Sequence, residues 1–397
     1  MSLQDTPRSN RLHIGIFGKR NSGKSSLINA LTNQKIAVVS DIAGTTTDPV
    51  YKSMEIHGIG PCVFIDTAGF DDVGEIGVLR VSQTEKALEK TDIALVLFCE
   101  EPEQVELDWL SRLKAAHTPI IGVVNKIDTL SNAQELAKLV AEKCGISVTA
   151  VSAATREGID ELRAQLIRSL PADYENESIT GELTHEGDTV LLVMPQDIQA
   201  PKGRLILPQV QVLRELLDKK CIVLSATTDK LEQSLAALKE PPKLIITDSQ
   251  VFRTVYEKKP PKSKLTSFSV LMAGYKGDLG YFVESAKAID GLTESSRVLI
   301  AEACTHAPLA EDIGREKIPR FLRERVGQGL RVDVVNGTDF PEDVSGYDLI
   351  IHCGGCMFNR KYVLSRIAKA RTAHVPMSNY GVVIAYLSGI LNQIDFF

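Results

Sequence analysis

The sequence predicts an α/β protein: a parallel, doubly wound sheet in the first part of the chain, followed by two smaller α/β domains. Short apolar runs alternate with amphipathic stretches along nearly all of it, and strands alternating with helices build βαβ units around parallel sheets. The alternation breaks twice. One break is the polar, acidic stretch holding Asp173, Glu175, Asn176, Glu177 and Ser178; the other is Lys258-Lys259-Pro260-Pro261-Lys262, where prolines oppose helix. At 397 residues the chain exceeds one ordinary domain. The breaks divide it into 8–172, 183–262 and 265–397.

In the first segment the apolar runs place strands at Leu12–Phe17, Pro61–Ile65, Ile93–Phe98, Ile120–Asn125 and Val148–Val151, with helices starting near Lys24, Gly77, Glu103, Ala133 and Gly158. In the second, Val190–Met194, Cys221–Leu224 and Leu244–Thr247 read as buried strands, and Val210–Lys219, Asp229–Leu238 and Ser249–Glu257 as the helices between them. In the third, strands are expected at Ser267–Met272, Val298–Ala303, Arg331–Val335 and Leu349–His352. Helices are expected at Leu279–Ala288, Glu316–Val326, Lys361–Ala370 and Tyr380–Leu391.

Composition narrows the function classes. A net charge of −6 disfavours a dedicated nucleic-acid binder, because phosphate contacts need clustered Lys and Arg. The chain start shows no apolar secretory core, and no uninterrupted apolar run reaches the ~18 residues of a membrane span; the best stretch, Val382–Leu391, reads as a buried helix. Seven cysteines in such a chain suggest free thiols in a reducing cytoplasm.

Gly18-Lys19-Arg20-Asn21-Ser22-Gly23-Lys24-Ser25 fits G-x-x-x-x-G-K-[ST], after an apolar strand and before the apolar-periodic helix that runs through Ser26, Leu27, Ile28 and Leu31. Its glycines let backbone N–H groups turn toward phosphates at a helix N-terminus. Lys24 would contact the β- and γ-phosphates and Ser25 would ligate Mg²⁺. Asp66-Thr67-Ala68-Gly69 ends the next strand: the carboxylate can hold Mg²⁺ through water, and the Gly69 N–H can sense a γ-phosphate. Asn125-Lys126-Ile127-Asp128 ends another. Asp128 can accept two hydrogen bonds from guanine, a pair that adenine does not offer, and the Lys126 stem can pack along the base. Ser152-Ala153 can close over the guanine oxygen with backbone N–H groups, and Gly44-Thr45-Thr46-Thr47-Asp48 lies in a polar loop between the first two motifs.

These motifs together resemble the GTPases related to translation factors, the branch with Era and MnmE. The resemblance implies GTP and GDP as ligands, Lys24, Thr46 and Asn21 as catalytic residues, and Thr46 as a second Mg²⁺ ligand. The position that usually carries the hydrolytic Gln is Phe70, which cannot orient water. Relatives sharing this departure and an Asn at position 21 use K⁺, so a potassium site at Asn21 and residues 41–44 is expected. Asp71, Asp72 and Glu75 are the candidates for positioning water.

Cys304-Thr305-His306 and His352-Cys353-Gly354-Gly355-Cys356 each follow an apolar strand. Neighbouring parallel strands would bring both to one sheet edge. By chemistry alone the thiols and imidazoles fit structural zinc or a [4Fe–4S] cluster with one replaceable position. Cys62, Cys99, Cys144 and Cys221 lie in or beside apolar runs and read as small core residues.

C-x-H followed after 45 residues by H-C-x-x-C, behind a GTPase domain, resembles the HydF family of [FeFe]-hydrogenase maturation GTPases over essentially the whole chain. The resemblance implies a GTPase domain at 8–172, a dimerisation domain at 183–262 and an iron–sulfur domain at 265–397. Cys304, Cys353 and Cys356 become the cluster ligands, with His306 or His352 as a possible fourth. It also implies a homodimer, the radical-SAM maturases HydE and HydG as partners, and delivery of a transient diiron precursor carrying CO, cyanide and dithiolate to apo-[FeFe]-hydrogenase. The competing expectation is a tRNA- or ribosome-associated GTPase with a structural zinc site.

Overall fold

The computed structural model describes residues 8–32, 50–56, 59–67, 69, 83–171, 178–195, 205–303, 313–355 and 357–396. It divides into two compact units, residues 1–175 and 176–397.

In the first unit β1 (Leu12–Gly18), β2 (Val50–Ile56), β3 (Gly60–Asp66), β4 (Ile93–Phe98), β5 (Ile120–Val124) and β6 (Ser147–Ala150) form one sheet in the order β2-β3-β1-β4-β5-β6. Every residue of β1 and β4 is buried, which is why these strands read as unbroken apolar runs: a parallel strand covered on both faces has no polar side. Helices α1 (Lys24–Thr32) and α4 (Ile159–Arg168) share one core with β1 and β3. Helices α2 (Gln104–Ala115) and α3 (Ala133–Cys144) share another, with Phe17, Val96 and Val124.

The α/β fold class holds, and the sheet is mostly parallel as expected, with one antiparallel edge strand. Strand β2 runs antiparallel to β3. It is an edge strand of mixed exposure carrying Lys52 and Glu55, so its sequence never forms the apolar run of its neighbours. The helix expected from Gly77 begins outside the described residues; 83–88 is helical.

The second unit holds two parallel four-stranded sheets. One consists of β7 (Thr189–Val193), β8 (Ile222–Ala226), β9 (Leu244–Thr247) and β10 (Lys264–Ser267), in the order β10-β9-β7-β8. Around it lie α5 (Leu207–Asp218), α6 (Leu231–Ala236) and α7 (Phe252–Lys258). The other consists of β11 (Arg297–Glu302), β12 (Arg331–Asn336), β13 (Leu349–His352) and β14 (Met377–Asn379), in the order β12-β11-β13-β14. Helix α8 (Phe268–Lys276) packs Phe268, Leu271 and Met272 into the core of the first sheet and Val270 and Ala273 into the cluster shared with the second; the helices of the second sheet include α9 (Leu279–Ala286), α10 (Ile318–Val326), α11 (Arg360–Thr372) and α12 (Tyr380–Leu387). A single apolar cluster includes Leu191, Ile245 and Leu265 of the first sheet and Leu299, Ala301 and Ile350 of the second.

The strand expected at Ser267–Met272 is instead helix α8. Ser267 caps it, its hydroxyl accepting from the Val270 N–H at 3.2 Å, and the strand at this point is β10, paired with β9. The loop at 258–262 therefore leads into a strand of the same sheet. Strand β14 is three residues long and left no periodic signal. The stretch 382–385 is buried in α12, as its composition suggested. No helix among the described residues is long and apolar enough to cross a membrane.

Candidate functional site

The turn from β1 into α1 takes its shape from three residues with positive φ: Gly18 (149°), Asn21 (58°) and Gly23 (89°). Gly23 is doubly constrained, because a Cβ there would strike the Asn125 amide as well as sit in a region that L side chains avoid. The Lys24 ammonium folds back over the loop, donating to Gly18 O at 2.9 Å and Lys19 O at 2.8 Å. Ser25 Oγ donates to Asp66 Oδ2 at 2.7 Å, which brings two motifs 41 residues apart to one point. Asp66 is buried. Burial pushes its carboxyl up, against the pull of the Ser25 hydroxyl and the charges of Lys24 and Lys52, so this carboxylate stands to gain from a cation. Gly69 is buried nearby in sequence, and Ser26 continues α1. Thr46, Phe70, Asp71, Asp72, Glu75 and residues 41–44 lie outside the described residues.

Asn125 joins the loops. Its Nδ2 donates to Ser22 O at 2.8 Å, its Oδ1 accepts from the Ala153 N–H at 3.1 Å, and its own N–H reaches Phe98 O at 2.9 Å. The phosphate loop and the ends of β4, β5 and β6 are thus tied through one buried amide. Ser152 Oγ donates to Asp128 Oδ1 at 2.6 Å, which orients a carboxylate left exposed at the rim. Lys126, also exposed, has φ 62°. The arrangement offers N–H groups and an ammonium to phosphate at one end and an aimed carboxylate to a base at the other.

One residue here escaped the sequence reading. Lys19 pairs with Glu100 and Glu103 at 2.8 Å each and with the buried Glu106 at 3.4 Å. Burial opposes its charge, but the hydrogen bonds to Glu100 and Glu103 and the charge of Glu106 hold its ammonium well above the ordinary lysine range. The signal was the acidic run just after β4. Cys99, expected as a small core residue, is only half-buried, because it sits at the end of β4 beside the phosphate loop, 3.6 Å from Ser22 O.

In the second unit, β11 and β13 are parallel neighbours with Ala301 opposite His352. The chain after β11 and the Cys353 loop therefore leave one sheet edge side by side. Cys353 Sγ accepts from the Ala303 N–H at 2.9 Å and from the Gly355 N–H at 3.5 Å. Two N–H groups aimed at one sulfur favour the thiolate, the form that binds metal, so this residue fits a cluster ligand. Cys304, His306 and Cys356 lie outside the described residues; among the described residues no group of three metal-ligating side chains gathers.

His352 has both ring nitrogens engaged. Nδ1 faces Cys353 O at 2.6 Å and Nε2 faces Arg366 Nη1 at 2.9 Å. A carbonyl can only accept and a guanidinium can only donate, so Nδ1 carries the proton. Burial and the Arg366 charge push its pKa down to about 3, against the Cys353 carbonyl, which pulls it up. In this arrangement the imidazole is a neutral bridge with no lone pair turned outward. Cys62, Cys144 and Cys221 are buried, as their apolar context implied.

Comparison with known proteins fits this geometry. The model of the 50S ribosome-binding GTPase family matches residues 13–126, and the first unit is a GTPase domain. The tRNA modification GTPase MnmE of Chromobacterium violaceum is 35% identical over 170 residues, covering 42% of this chain and 37% of that protein. The MnmE of Bordetella avium is 38% identical over 163 residues, covering 40% and 33%. The chain thus spans about a third of these relatives' length. A solved structure of Era with MgGDPNP and a 16S ribosomal RNA fragment has 21% identity and a TM-score of 0.37, covering 54% of this chain and 91% of that one. The hydrogen maturase F dimerization-domain model matches residues 179–277, and its tetramerization-domain model matches 280–394. With a GTPase domain in front of these two modules, which together take up nearly all of the second unit, the chain belongs to the HydF family of [FeFe]-hydrogenase maturation GTPases.

Proposed function

We propose that the protein is a GTP-hydrolysing scaffold and carrier that binds a [4Fe–4S] cluster and delivers a diiron precursor to apo-[FeFe]-hydrogenase. The observation that carries the reading is the junction of β11 and β13, where Cys353 Sγ accepts N–H groups from Ala303 at 2.9 Å and Gly355 at 3.5 Å. Cys304, Cys353 and Cys356 would ligate the cluster. His306 is the favoured fourth ligand, since His352 is engaged with Arg366 at 2.9 Å. A cluster with three thiolates leaves one iron open to an outside group such as a cyanide nitrogen of the precursor.

GTP hydrolysis is the enzymatic step. Lys24 neutralises charge developing on the phosphates, and Ser25, Thr46 and Asp66 would hold a Mg²⁺ ion that supplies further positive charge there. Gly69 and Thr46 report the γ-phosphate to the rest of the switch. Asn21 and residues 41–44 would hold a K⁺ ion, which would supply the positive charge of an arginine finger; equal turnover in KCl and NaCl would remove it. Asp128 selects guanine, with Asn125, Lys126, Ser152 and Ala153 holding the pocket.

Residues 8–172 take switching, the sheet from β7 through β10 takes dimerisation, extending past the expected end at 262, and the remainder to 397 takes cluster binding, with oligomerisation supported by the module descriptions at 179–277 and 280–394. HydE and HydG in the cytoplasm would supply the cargo. The test is anaerobic reconstitution with iron and sulfide, followed by EPR and activation of apo-hydrogenase. Cys304→Ala, Cys353→Ala and Cys356→Ala should each lose the normal cluster signal, and its retention in all three refutes the assignment.

A further inference from the structure

Arg366, on α11, is 1% exposed. Its partners are all neutral: His352 Nε2 at 2.9 Å, Gly337 O at 2.5 Å and Tyr362 OH at 3.4 Å. The rings of Phe340, Phe358 and Tyr362 lie 4.7–4.8 Å from the guanidinium carbon. Its Nε is buried with no hydrogen-bond partner. Among the described residues no carboxylate pairs with it.

A buried charge without a counter-ion is costly, and an apolar side chain of similar volume would pack such a site at lower cost. Ring faces offset only part of that cost. The charge is retained two hydrogen bonds from a cluster ligand, through His352 to Cys353 O at 2.6 Å. The same carbonyl accepts from Asn379 Nδ2 at 3.1 Å, so the loop's first peptide is clamped from two sides.

We propose that Arg366 is a positioning residue of the sulfur site, supplying the built-in positive charge that balances the anionic sulfur-ligated group at Cys353 while holding the loop through His352. The inference rests on the cluster-carrier reading. Three thiolates and bridging sulfides make that group anionic, and more so when reduced, so a fixed cation nearby raises its reduction potential and its retention.

The test uses full-length protein reconstituted anaerobically, as wild type, Arg366→Met and Arg366→Lys, titrated with dithionite under EPR. Arg366→Met should reduce at a clearly more negative potential and lose iron faster to a chelator. Arg366→Lys, which keeps the charge, should stay near wild type. An unchanged potential in both variants, or an equal shift in both, overturns the proposal. Should Arg366→Met fail to fold, Arg366→Gln against Arg366→Lys supplies the same contrast, and GTP binding by the first unit checks integrity. Wild type that takes up no cluster sinks the carrier reading and this inference together; a normal wild-type cluster with indifferent variants sinks only the inference.

Discussion

The phosphate loop and the Cys353 loop both leave the carboxyl end of a buried parallel strand, β1 in one unit and β13 in the other. The first is held by compensated polar contacts: Asn125 satisfies Ser22 and Ala153, Ser25 meets Asp66, and Lys19 has three carboxylates around it. The second is held by a cation that has no carboxylate partner among the described residues and is set among aromatic rings. Compensation gives a loop whose shape is settled by the protein's own groups. An uncompensated charge leaves a site open to completion by an anionic group, which is the basis of the role proposed for Arg366. Helix α11 carries both situations: Arg371 reaches Asp278 Oδ2 at 2.6 Å at the surface, while Arg366 is buried with no carboxylate partner among the described residues.

The largest effect should come from Lys24→Ala. Removing the ammonium that neutralises transferred charge should lower kcat for GTP by about 10²–10³-fold, measured as phosphate release. Iron uptake should be unchanged; a matching loss of iron would break the separation between the two sites. Gly23→Ala comes next. Positive φ and the Asn125 contact should cost about 1–3 kcal/mol, read as a roughly tenfold or greater loss of GTP affinity by calorimetry. Ordinary affinity would mean that the loop relaxes more easily than its contacts imply.

Asn125→Ala leaves Ser22 O and the Ala153 N–H unpaired. It should cost about 1–3 kcal/mol in stability, seen as earlier melting of the first unit with that of the second unchanged. The smallest effect concerns Asp278. The Tyr281 N–H and Arg371 hold its carboxyl below the usual range against the opposing effect of burial. A depressed carboxylate stabilises above its unfolded pKa, near 4, and that contribution fades as pH falls through the folded value. Asp278→Ala should therefore cost about 1 kcal/mol at pH 7, and less below about pH 4 in urea melts. A constant difference across pH would show that the charge plays no part.

Much of the nucleotide site was legible because its chemistry is local. A phosphate loop needs glycines at fixed spacing, and its partner motifs sit at the ends of apolar runs that any both-faces-buried strand must have. The adjacency of β11 and β13, the strands that precede the two Cys–His segments, was also readable, since both are apolar runs. What failed was short or ambiguous. Lys264–Ser267 and Phe268–Lys276 form a strand and a helix from one apolar stretch whose periodicity does not separate the two. Strand β2, at the edge, lacks the apolar run that marked its neighbours.

Sequence by itself determined the α/β alternation, the glycine spacing of the phosphate loop, and the position of Asp128 and of Cys353 just past apolar strands, because periodicity and motif spacing are written in neighbouring residues. Only the tertiary structure decided that Asn125 ties three loops, that Lys19 meets Glu100, Glu103 and Glu106, and that His352 turns inward to Arg366. An arginine on a charged helix reads as solvent-facing. Its burial depends on Phe340 and Gly337, well back in the chain, and the environment of a charge is set by whichever elements packing brings around it.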